Sequence, residues 1–87
     1  MPRELAVSVI SPERVLFEGT ATAAVVPAFD GEVGILPQHA PLMTLLGRGT
    51  LRLDTSAGPR RFRVGGGFLQ VVDDQVRVVT EEAEAIG

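Results

Sequence analysis

The single histidine of this 87-residue chain, His39, is where any acid–base chemistry would have to begin. The nearest carboxylates in sequence are Asp30 and Glu32. The hydroxyls a base could activate belong to Ser8, Ser11, Ser56 and the threonines, and none sits in a strand-to-helix nucleophile elbow. Flanked by Gln38 and Ala40, His39 reads as a capping or interface residue. His39, Asp30 and Glu32 also lack the spacing of a metal site. Asp73-Asp74 has none of the further ligands of a calcium loop and reads as a solvated hairpin turn. Gly65-Gly66-Gly67 would need a following helix to cradle a phosphate. Phe68 to Val72 follows instead, a strand, so the glycines read as a bend or bulge. No catalytic residue, metal ligand or cofactor is assigned, and the chain is read as a non-enzyme.

A different kind of signal lies between Gly34 and Leu46. Ile35, Leu36, Leu42, Met43, Leu45 and Leu46 crowd into a stretch that Pro37 and Pro41 stiffen and keep out of a regular central ladder. A domain this small cannot easily turn all of them inward. They either cap one end of the core or form an apolar contact patch for another protein. Periodicity alone does not choose between the two.

The elements that must carry these residues are strands almost throughout. Leu5, Val7 and Val9 alternate with Ala6 and Ser8, a half-buried strand. Val15 to Glu18 and Thr20 to Val26 follow, the latter ended by Pro27. Asp30-Gly31 marks a turn before Val33 to Leu36. Thr50 to Asp54, Arg61 to Val64, Phe68 to Val72 and Gln75 to Thr80 complete the set. Glu81 to Ile86 alone favours helix, and it is too short to stand by itself. Leu5, Val7, Leu51, Leu53, Phe62, Val64, Val76 and Val78 are the expected core. Short strands with close turns predict a sandwich or barrel, a single domain over residues 1–87.

Composition narrows the partners. The net charge is −3, and the one basic cluster is Arg60, Arg61 and Arg63. Four phenylalanines are the only aromatics, so base-stacking and sugar-stacking platforms are both poorly supplied and no nucleic-acid partner is expected. All eight basic residues are arginine, which removes biotin and lipoyl carriage on a lysine. The absence of cysteine excludes disulfide and thiol chemistry. No stretch approaches the ~20 apolar residues of a spanning helix, so no direct membrane insertion is expected.

At the apolar segment the chain resembles a known family. Asp30-Gly31-Glu32-Val33-Gly34-Ile35-Leu36-Pro37-Gln38-His39-Ala40-Pro41-Leu42 is similar to the most characteristic stretch of the epsilon subunit of F-type ATP synthases. Ser11-Pro12-Glu13 to Gly19 resembles that family's opening hairpin, and Gly66-Gly67-Phe68-Leu69-Gln70-Val71 its Gly-Gly strand. The resemblance implies an all-β fold, a ten-stranded β-sandwich of two small sheets. It implies a non-catalytic rotor subunit that docks on the gamma subunit and on the polar loops of the c-ring, coupling ion flow to ATP synthesis. Asp30 and Glu32 would face the c-ring. His39, Leu42, Met43 and Thr44 would face gamma. The place implied is the cytoplasmic side of a bacterial inner membrane, held peripherally. The family continues into a helical hairpin, and the expectation from these 87 residues is a domain without that hairpin's inhibitory function. The competing class is a free-standing sandwich that binds a peptide or sugar.

Overall fold

The structure, a computed structural model, describes residues 3–86. Eight strands are present: β1 (Leu5–Ile10), β2 (Val15–Ala21), β3 (Ala23–Ala28), β4 (Gly31–Ile35), β5 (Leu42–Leu45), β6 (Gly49–Thr55), β7 (Gly58–Val72) and β8 (Gln75–Ile86). They form one mixed sheet in the order β2-β1-β8-β7-β6-β3-β4, with β5 paired to the far half of β7. The pair β1–β8 is parallel and the other pairs are antiparallel. The expectation of ten strands in two separate sheets is therefore corrected: among the described residues there are eight strands, in one sheet.

The reason lies in β7 and β8, which are 15 and 12 residues long. The first half of β7 pairs with β6 and the second half with β5, while β8 follows β7 along almost its whole length. Across the Gly65-Gly66-Gly67 run the side chains change sides. Phe62 and Val64 point inward before it, Leu69 and Val71 after it. On β8, Val76, Val78 and Thr80 give way to Ala83. The register does not slip, with Gly65 opposite Glu82 and Gly67 opposite Thr80, so the run is a bend and not a bulge. Gly66 and Gly67 have φ of 73° and 96°, which side-chain-bearing residues rarely adopt. A Cβ on Gly67 would overlap the Val79 carbonyl. Beside the bend sits buried Thr80, whose hydroxyl donates to the Glu82 carbonyl at 2.7 Å and accepts the Gly65 N–H at 3.2 Å. The backbone groups at the corner are thus satisfied without breaking the ladder.

Bent at this corner, the sheet folds over on itself and its two halves face one another across a single core. All eight residues expected in the core are buried, joined by Val9, Val26, Ile35, Leu69 and Val71. Phe17 of β2 meets Phe62 of β7 edge-on at 6.1 Å between ring centroids, although their strands are not sheet neighbours. The Arg60 guanidinium lies over both rings, at 5.5 and 5.6 Å, and lids that end of the core.

Glu81 to Ile86 also departs from expectation, being strand and not helix. Its residues continue the β8 ladder opposite Arg61 to Gly65, with Glu84 facing Arg63, and Glu82 pairs with Arg48 at 3.0 Å. Tertiary pairing overrides a weak local preference here. Pro27, expected to end a strand, lies inside β3, where its carbonyl accepts the Gly47 N–H.

The bend gives a direct test of the fold. Gly67→Ala should destabilise the chain by about 2 kcal/mol or more, because both the positive φ and the Val79 carbonyl oppose the added methyl. Gly34→Ala, in open space and at ordinary φ, should stay within about 0.5 kcal/mol. Urea unfolding of the two variants measures this, and equal losses would contradict the assigned corner.

Candidate partner-docking surface

The residues singled out in the sequence fall into two groups at opposite ends of β5. Asp30 and Glu32 lie at the β3–β4 hairpin, both exposed. Gly31, at φ 132°, makes that turn possible. Phe29 joins this end to β5 through its N–H, which donates to the Leu45 carbonyl at 3.0 Å. Neither Asp30 nor Glu32 has an ion-pair partner among the described residues.

His39 belongs to the other end. Residues 36–41 connect β4 to β5, and Leu36 to His39 form a turn closed by the His39 N–H donating to the Leu36 carbonyl at 3.2 Å. Pro37 supplies the fixed φ of its first central position. Gln38 takes the left-handed second position at φ 70°, the geometry of a type II turn. In such a turn the Gln38 N–H has no partner within the turn. It donates to Asp74 Oδ1 at 2.6 Å, and Arg3 donates to Asp74 Oδ2 at 2.8 Å. The His39 ring is turned onto its own neighbour: Nδ1 donates to the Ala40 carbonyl at 2.7 Å. No serine or threonine hydroxyl hydrogen-bonds to His39 among the described residues.

Asp74, read from the sequence as part of a solvated turn, is therefore a structural clasp. It and Asp73 are the two central residues of the β7–β8 hairpin turn, with φ of 62° and 50°, as a type I′ turn requires. The Gln38 backbone N–H, and then the Arg3 side chain, hold its carboxyl below the ordinary carboxylate range.

Along β5 the side chains alternate. Leu42 is half-buried and packs against the core; Thr44 is half-buried. Met43 and Leu45 point outward, 64% and 62% exposed. Leu45 is the start of something sequence reading did not find. Its cross-strand partner is Phe68, Phe68 faces Val79, Val79 pairs with Ile10, and Ile10 with Val15. The inward neighbours Leu69, Val78 and Val9 are all buried, so this row lies on the outer face of the sheet. It is an apolar band crossing five strands, from β5 to β2. The adjoining row, Met43, Gln70, Arg77 and Ser8, is polar beyond Met43. The signal was present in the alternation: Ile10, Phe68 and Val79 are apolar residues at outward-facing positions.

The clasp makes stability depend on pH in a predictable sense. A carboxyl whose pKa is lowered on folding stabilises the fold above its unfolded value, about 3.9, and loses that contribution as pH falls through the lower folded value. The stability gap between wild type and Asp74→Asn should be constant from about pH 7 to 5 and close below about pH 4. Urea unfolding across that range checks it, and a gap that widens with acid would contradict the assignment.

Comparison with known proteins bears on the whole chain. Residues 4–86 match the family described as "ATP synthase, Delta/Epsilon chain, beta-sandwich domain". The ATP synthase epsilon chain of Solibacter usitatus is 46% identical over 84 residues, covering 97% of this chain and 63% of that protein. That of Rhodopirellula baltica is 47% identical over 75 residues, covering 86% and 59%. The chain thus spans about three-fifths of the length of these curated relatives. A chain in the mitochondrial ATP synthase of Euglena gracilis superposes with a TM-score of 0.87 at 23% identity, covering 98% of this chain and 55% of that one. One in the central stalk and c-ring structure of the Tetrahymena thermophila enzyme does so at 0.72 and 13%, covering 94% and 66%. At these identities the two structures speak for the fold alone. The sequence matches do more: with its His-Ala-Pro-Leu turn, its Gly-Gly bend and its near-complete overlap, this chain belongs to the ATP synthase delta/epsilon family, of which it is the β-sandwich domain.

Proposed function

We propose that the chain is the β-sandwich part of a non-catalytic central-stalk subunit in a proton-translocating F-type ATP synthase. It docks on the gamma subunit and on the polar loops of the c-ring, so that ion flow and ATP turnover stay coupled. It works peripherally, on the cytoplasmic side of the bacterial inner membrane. No helix among the described residues is long and apolar enough to cross a membrane, and attachment runs through the protein partners.

The observation that carries this reading is the outer apolar band. A lone exposed leucine needs no explanation, but a row shared by five strands does. Leu45, Phe68, Val79, Ile10 and Val15 give an apolar strip bordered on one side by Gln70, Arg77 and Ser8, the layout of an interface with an apolar centre and polar rim. In this reading the strip and the adjoining His39 and Met43 meet gamma, while Thr44 lies on the inward face of β5 with Leu42. Leu42 serves from beneath, seating β5 on the core. Asp30 and Glu32, at the other end of β5, meet the c-ring. Their exposed carboxylates suit basic or amide side chains on the ring loops.

Two substitutions separate docking from folding. Leu45→Asp should leave the isolated chain within about 0.5 kcal/mol of wild-type stability while weakening binding to the gamma subunit by about tenfold or more. Leu42→Asp should instead lower stability by about 2 kcal/mol or more. Thermal melts and gamma titration read both, and unchanged gamma binding by the Leu45 variant would defeat the reading. At the other end, Glu32→Arg should reduce ATP-driven proton pumping in the reconstituted enzyme. Glu32→Gln should do little, because an exposed pair contributes only about 0–1 kcal/mol. Normal pumping by the arginine variant would remove Glu32 from the ring contact.

A further inference from the structure

The His39 turn has an unusual mechanical problem. Residues 36–41 lie between two strands and belong to neither. Among the described residues, the backbone bond that closes the turn is His39 to Leu36, a long one at 3.2 Å. The left-handed second position of the turn is held by Gln38, where glycine is the usual occupant. A non-glycine residue in that conformation is disfavoured unless its surroundings fix it. Among the described residues, the hydrogen bond that ties this segment to another element is the one from the Gln38 N–H to Asp74 Oδ1, at 2.6 Å.

Asp74 is itself firmly placed. It sits in the two-residue turn joining β7 to β8, and its carbonyl accepts the Ala6 N–H of β1 at 2.8 Å. Its other carboxylate oxygen takes Arg3. The side chain is only 18% exposed. Arg3, Gln38, His39, Pro41, Asp73 and Asp74 line one shallow depression, so the turn and the hairpin are in register at this spot. β7, which ends at the hairpin, also carries β5, with Leu42 opposite Val71. The same hairpin unit therefore holds the middle of the segment, at Gln38, and the start of the strand it leads into, at Leu42.

We infer that Asp74 is a positioning residue for partner docking: by capturing the Gln38 amide, it locks the left-handed turn that presents His39 and the start of β5 to the gamma subunit. This rests on the docking role proposed above. Asp74 touches no partner in this account; it acts through Gln38. Asparagine at the same position keeps a carbonyl oxygen for the Gln38 N–H and loses the charge that holds Arg3, whereas alanine loses both.

The test measures the turn and the docking separately, in the full 87-residue chain. Amide exchange followed by NMR should show Gln38 and His39 exchanging about tenfold faster in Asp74→Ala, the scale of one charge-assisted hydrogen bond. Val78 in the core strand, read in the same sample, reports any global loss of stability. Titration with the gamma subunit should show the alanine variant binding about tenfold more weakly, mostly through a slower on-rate if the turn must reform before docking. Asp74→Asn should recover most of both effects. Gln38 exchange unchanged relative to Val78 would overturn the lock, and so would faster exchange with wild-type gamma affinity. If the wild-type chain fails to bind gamma, the docking reading falls and this role falls with it. If the wild type binds, Leu45→Asp disrupts binding and Asp74→Ala does not, the docking reading stands and the lock alone is overturned.

Discussion

Everything in this molecule turns on a corner. At Gly65 to Gly67, β7 must reverse which face of the chain points inward without letting go of β8. Two glycines at positive φ make the reversal sterically possible, and the buried Thr80 hydroxyl satisfies the backbone around it. A bulky residue at Gly67 would collide with the opposite strand. Because the ladder survives the bend, one sheet supplies both walls of the core. A chain of 87 residues has little apolar material to spare, and this arrangement lets Leu5, Val7 and Val9 from one half meet Leu51, Leu53 and Phe62 from the other.

The corner also decides what is left outside. Once Leu69, Val71, Val76 and Val78 are committed to the core, the alternation of a strand forces Phe68 and Val79 outward. Register then sets them side by side, and β5 and β1 extend the row with Leu45 and Ile10. The apolar band is thus a geometric consequence of the same pairing that closes the core. The opposite half of the sheet presents a different surface, where Arg52 faces Arg61 across β6 and β7, and Arg52 pairs with Asp54 at 3.0 Å. One outer face carries the apolar band and the other carries Arg52 and Arg61, so the two sides of the domain differ in chemistry.

Much of this was legible in the sequence, for physical reasons that can be named. Strict alternation in β1 and β6 identified the core residues, because each of those strands has one face against it. The Asp30-Gly31 turn and the Asp73-Asp74 hairpin were announced by residues that tolerate left-handed conformations. Other features were not local. Gly65 to Gly67 read as a bend or bulge, but no single-chain pattern says that it lies inside one long strand that β8 follows across it. Glu81 to Ile86 has helical composition, and only the open edge of β7 beside it makes it a strand. Asp74 looked like any polar turn residue because its partners, Gln38 and Arg3, lie 36 and 71 positions away. The outer band was missed for a related reason: Ile10, Phe68 and Val79 are scattered in sequence and become neighbours only through register.

On the proposed reading, the apolar outer face is where this domain meets the gamma subunit. Hydroxyl-radical footprinting of the chain, free and bound to the gamma subunit, tests it most directly, because oxidation reports the exposure of individual side chains. The account predicts that Met43, Leu45 and Phe68 become protected on binding, while Val25, on the outer face of the other half, oxidises at its free rate. Protection of Val25 with Met43 and Phe68 left as reactive as in the free chain would contradict it.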